Sequence, residues 1–213
     1  MNVDLILKIT DYVLLNAYSL SSSGLYYGKA GVSLALFEIS RLLENDYLEE
    51  HAFELLQESL LYKGDDLSFI NGYAGISFVL HYLTDNDFVE ADADELVGEQ
   101  ERKLQSEAPC EIPVTDISLS ALSACVDRLF LLHRDLERDK DEIEVLQSFL
   151  FSSSEEELEA KLLKIMNSAG ANISYAHGLA RWLLYVAYAE SLKRGLDVSR
   201  FDNLFKLVPI WKR

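Results

Sequence analysis

Two cysteines and four histidines are the side chains of this 213-residue sequence best suited to nucleophilic, proton-transfer or metal chemistry. A thiol attacks or binds zinc only as its thiolate, and a zinc site needs three or four donors close together. Cys110 lies in the loop-like stretch SEAPCEIP and Cys125 in an apolar stretch, with no CxxC spacing between them and no histidine in ligand register. The expectation is two reduced thiols and no metal, so zinc is not expected as a cofactor. His81 falls on the apolar side of a predicted helix and reads as a core or cavity residue, whereas His51 and His133 sit among charges and read as exposed. His177, in NISYAHG, is the fourth.

Glycine makes the second suggestive pattern. Gly24, Gly28 and Gly31 precede or open an otherwise apolar, helix-forming run. A glycine in a helix costs about 1 kcal/mol relative to alanine, so three together call for a backbone reason, either a close approach or a repeated joint. Laid over itself, the chain matches GKAGVSLALFE, starting at Gly28, with GYAGISFVLHY, starting at Gly72. Gly28 and Gly31 thus correspond to Gly72 and Gly75. Two weaker copies follow: Ser120 and Ser123 take the glycine positions in the third, and Gly178 and Arg181 in the fourth. A period of about 50 residues fits an array of helical hairpins.

The elements that must position these residues are legible in the hydrophobic pattern. AGVSLALFEISRLL and AGISFVLHYL are apolar nearly all round, as in helices buried on most faces. YLEEHAFELLQESLLY carries Leu48, Ala52, Leu55, Leu56 and Leu60 on one side only, which predicts an outer helix. Leu5, Ile6, Ile9, Tyr12 and Val13 make an amphipathic opening helix, and Ser154 with Glu157 forms a capping box ahead of another. The acidic stretch 90–107 reads as a further outer helix with a solvated face. The expected fold is all-α: helical-hairpin repeats with about four inner and four to five outer helices in an incomplete ring. Residues 1–213 form a single domain in this reading, and the apolar tail 196–213 caps one end.

GLYYGKAGVSLALF and FINGYAGISFVL resemble the first two motifs of the lanthionine synthetase C-like family, and NISYAHG resembles its fourth. The resemblance implies an α/α toroid in which the glycine-bearing turns surround one end of a central cavity. It implies a cavity rim at Gly28, Gly31, Gly72, Gly75, Gly178 and Asn172, where backbone N–H groups at helix starts offer anion sites. The family's enzymes add a cysteine thiol to a dehydrated residue of a peptide, in lantibiotic biosynthesis and related pathways, with zinc holding the thiolate. Their zinc ligands come from motifs containing Trp-Cys-Gly and Cys-His-Gly, and neither occurs here. Asp116 and His177 match an aspartate and a histidine that handle protons in the family, so the resemblance makes them the candidate catalytic pair. For Asp116 a helix N-cap in TDIS is the structural alternative.

The formal net charge of −17 argues against nucleic acid and against anionic membrane surfaces, because no basic cluster exists to neutralise phosphates. No apolar run reaches the roughly 20 residues that span a bilayer, and MNVDLILKITDYVLLN lacks the basic start and cleavage site of a signal peptide. A cytoplasmic location is expected. The reading that follows is a truncated, zincless relative of the cyclases that binds a peptide or protein partner. Alternatives are an acid/base enzyme using Asp116 and His177, and a helical scaffold with a vestigial site. An arc of four hairpins would leave apolar ends bare, through which two copies could form a homodimer.

Overall fold

In a computed structural model, the described residues are 3–93, 95–99, 102, 160, 163, 166, 167, 173–176, 178–201 and 204. Their regular structure is entirely helical. Five helices are bounded among them: α1 (Val3–Ala17), α2 (Lys29–Leu43), α3 (Asp46–Leu60), α4 (Tyr73–Asp85) and α5 (Leu179–Lys193). Residues 93 and 95–99 are helical as well. No described helix is long and apolar enough to cross a membrane.

The predicted division into inner and outer helices appears in the burial. In α2, residues from Ala30 through Ser40 are all buried, as its apolar run requires. In α3 only Leu48, Ala52, Leu55, Leu56 and Ser59 are buried, leaving its charges outside. Asn45 caps α3 by accepting a hydrogen bond from the Leu48 N–H at 3.2 Å, and Glu44, in a left-handed conformation, turns the chain from α2 into it. The two helices form an αα-hairpin closed by Ser33, whose Oγ donates to the Ala52 carbonyl at 2.7 Å. His51, expected to be exposed, is half-buried: Tyr47 packs edge-on at 4.4 Å, and the Tyr18 hydroxyl lies 2.7 Å from its Nδ1.

Helix α2 packs against α1, α3, α4 and α5. The first and fourth copies of the repeat therefore lie side by side, and their inner helices cover faces that an open arc would leave bare. Arg194, just past α5, reinforces this contact by donating to the Leu42 carbonyl of α2 at 3.0 Å. The third copy and the capping box at Ser154 lie outside the described residues.

Candidate functional site at the meeting of the glycine loops

Each described inner helix starts in the same way. Gly28, Gly72 and Gly178 are the N-cap residues of α2, α4 and α5, with φ of −124°, −113° and −114°. These angles are open to any residue, so the preference for glycine has a steric cause. A Cβ at Gly28 would come within 3.0 Å of Gly24 and Ser22 backbone atoms, and one at Gly72 would meet Asp66 and Ser68 in the same way. At the second position of the motif, a Cβ on Gly31 would meet the Leu25 carbonyl and Tyr175, and one on Gly75 would meet the Phe69 carbonyl and Leu25. The glycines are close-packed joints.

The three loops touch one another through equivalent residues. Ala176 N–H donates to the Tyr26 carbonyl at 3.1 Å, and Tyr26 N–H donates to the Ile70 carbonyl at 2.9 Å. A single ladder of backbone bonds therefore runs from the fourth copy through the first to the second. Beneath it, the Tyr26 ring stacks on Tyr175 at 6.0 Å and meets Phe69 edge-on at 6.0 Å. Leu25, Phe69 and Tyr175, one from each loop, are fully buried. Of the tyrosines that precede the glycines, Tyr26 is buried and Tyr27 is 44% exposed.

This arrangement alters the expected role of the helix starts. Lys29 and Ala30 donate their N–H groups to the Ser22 and Ser23 carbonyls at 3.0 and 3.2 Å. Tyr73 donates to the Asp66 carbonyl at 3.0 Å, and Ala180 to that of Ile173 at 3.3 Å. These donors close the loops on themselves and are not presented to an anion.

Gly28, Gly31, Gly72, Gly75 and Gly178 lie in or beside these three touching loops. Asn172 and His177 lie outside the described residues; of the neighbours of His177 in the chain, Ala176 is held in the ladder, and Gly178 donates its N–H to the Ser174 carbonyl of its own loop at 3.0 Å. Asp116, Cys110 and Cys125 also lie outside. Among the described residues no three His, Cys, Asp or Glu side chains are grouped to hold a metal ion.

Two charged residues that the pattern of motifs misses are deeply buried. Arg181 stands where the first two copies have their second glycine, Gly31 and Gly75. Its guanidinium carbon lies 5.1 Å from the centre of the Tyr175 ring and 5.6 Å from that of Tyr185. Burial acts to lower its pKa, but the Tyr175 and Tyr185 oxygens outweigh that and raise it.

The second is Glu38 of α2, whose side chain is 0% exposed. Arg200 grips it as a fork, with Nη2 3.0 Å from Oε2 and Nε 3.1 Å from Oε1. Tyr82 of α4 donates its hydroxyl to the same carboxylate. Burial, followed by the Glu38 charge, raises the Tyr82 pKa; Arg200 is raised because its bond to Glu38 overcomes the opposing effect of burial. An acid in the otherwise apolar run GVSLALFEIS is the signal that marks Glu38 in the sequence.

Buried inner helices, one-sided outer helices and small-residue joints meeting at one rim define a helical-hairpin ring protein. The family model for lanthionine synthetase C-like proteins matches residues 15–206. The chain belongs to that family. No curated protein and no solved structure matches it.

Proposed function

We propose that the protein serves a peptide-maturation pathway by holding a peptide, without itself closing thioether rings through zinc. One observation supports this reading: the glycine-led loops of the first, second and fourth copies are tied together by backbone bonds, while Trp-Cys-Gly and Cys-His-Gly do not occur among the 213 residues. Thiol addition at neutral pH is accelerated by a metal or a basic neighbour that raises the thiolate fraction. The described interior holds aromatic rings, the Arg181 guanidinium and the Glu38 carboxylate paired with Arg200.

The test uses a fluorescein-labelled synthetic peptide containing one dehydroalanine and one cysteine, titrated with the purified protein in the presence of Zn²⁺. Saturable binding with the peptide's thiol still intact is the expected result. Thiol loss that scales with protein concentration would overturn it.

A second reading is acid/base chemistry by Asp116 and His177. It is supported by Ala176, the residue before His177 in the chain, whose N–H donates to the Tyr26 carbonyl of the first copy. In the holding reading, His177→Ala leaves any conversion of the peptide unchanged. A His177-dependent conversion would establish the acid/base reading instead.

A further inference from the structure

Glu38, Tyr82 and Tyr188 occupy the same position of the repeat when Gly28, Gly72 and Gly178 are aligned. Equivalent positions leave equivalent helices in the same sense, so side chains that converge on one segment place it on the side facing the common axis. Glu38 and Tyr82 meet, Arg200 binds Glu38, and Tyr188 packs edge-on against Phe201 at 5.7 Å. Phe201 and Leu204 are completely buried, and the Leu204 carbonyl accepts a hydrogen bond from the Tyr175 hydroxyl at 2.9 Å. Tyr175 belongs to the rim loop of the fourth copy. Arg200, Phe201 and Leu204 therefore connect the buried carboxylate to Tyr175 of the rim loop.

We propose that Arg200, Phe201 and Leu204 occupy, from within the chain, the interior site that takes a peptide, and that Glu38 selects a ligand presenting an arginine followed by an apolar residue. This rests on the peptide-holding reading. The site is built for such a group: a fully buried carboxylate that also accepts from Tyr82 receives two donors on one edge of a planar guanidinium, and Tyr188 meets the ring of the following residue edge-on. The segment acts as an internal competitor. The apparent affinity for an external peptide is reduced by the fraction of molecules in which the segment is seated.

The experiment titrates a fluorescein-labelled peptide of residues 198–204, Val-Ser-Arg-Phe-Asp-Asn-Leu, into the full chain and into Arg200→Gln, which keeps a donor for Glu38. Arg200→Gln is expected to bind the peptide about tenfold more tightly than the parent, because its own segment is seated less often. The gain should vanish when the peptide's arginine is replaced by glutamine. Equal affinity of the two proteins, or a gain that persists without the peptide's arginine, overturns the proposal.

Should Arg200→Gln fail to fold by circular dichroism, exchange of the Phe201 amide decides in the parent protein. That amide donates to the Val198 carbonyl at 3.0 Å; faster exchange with added peptide supports the proposal, and unchanged exchange overturns it. The dehydroalanine and cysteine peptide separates the two readings. If it binds neither protein while the 198–204 peptide shows the gain, the maturation role fails and the internal competitor stands. If it binds both equally, the reverse holds.

Discussion

Gly31 and Gly98 show how the same residue type meets opposite demands. A methyl group at Gly31 would press on the Leu25 carbonyl and on Tyr175, whereas one at Gly98, in a helical segment, meets nothing within 4 Å. Gly31→Ala is expected to lose about 1–3 kcal/mol through overpacking, and Gly98→Ala to gain about 0.5–1 kcal/mol from helix propensity, both read from urea unfolding. Asp197 offers a pH-dependent test near the Arg200 fork. The Ser199 N–H at 2.9 Å, then its hydroxyl at 3.0 Å, hold the Asp197 carboxylate below its usual range. A depressed carboxylate stabilises the fold fully above the unfolded pKa, and the contribution fades as pH falls through the folded value. In an NMR titration, Ser199→Ala should move the Asp197 midpoint upward, part of the way to the ordinary value; an unmoved midpoint would contradict the assignment. The joint glycines were legible in the sequence because a steric demand on a backbone recurs wherever the motif recurs. Glu38 was harder to interpret, because its partner Arg200 is 162 residues away and nothing local announces the pair.

The helices show where local pattern suffices. The one-sided spacing of Leu48, Ala52, Leu55 and Leu56 predicts the buried face of α3 because an isolated outer helix has only one neighbour layer to meet. Its start depends on Asn45, whose side chain satisfies an otherwise orphaned N–H. Asn45→Ala should cost about 1 kcal/mol, and Asn45→Asp should retain most of the stability, as measured by thermal and urea unfolding. No loss for Asn45→Ala would mean that the cap contributes nothing. The apolar runs of α2 and α4 announce burial without saying which faces meet which neighbours. For the same reason, the sequence marks the glycine-led starts as anion sites, whereas the loops turn their own carbonyls onto the first-turn N–H groups of α2, α4 and α5.

Across the whole molecule, the repeat is more than a succession of similar hairpins. The backbone ladder and the stacked Tyr26 and Tyr175 rings join the fourth copy to the first, and α2 lies against α5. Sequence offsets order the copies along the chain but carry no curvature, so this meeting was not legible beforehand; it follows from the shape of the joints. It also creates the interior that Arg200 and Phe201 enter. The most direct test is amide exchange at Ala176, whose N–H donates to Tyr26 across the two copies. In NMR-detected exchange, Ala176 and Tyr26 should be protected together, and Gly31→Ala should speed both by the same factor. Exchange of Ala176 at the rate of an open loop amide, while Tyr26 stays protected, would contradict the closure of the fourth copy onto the first.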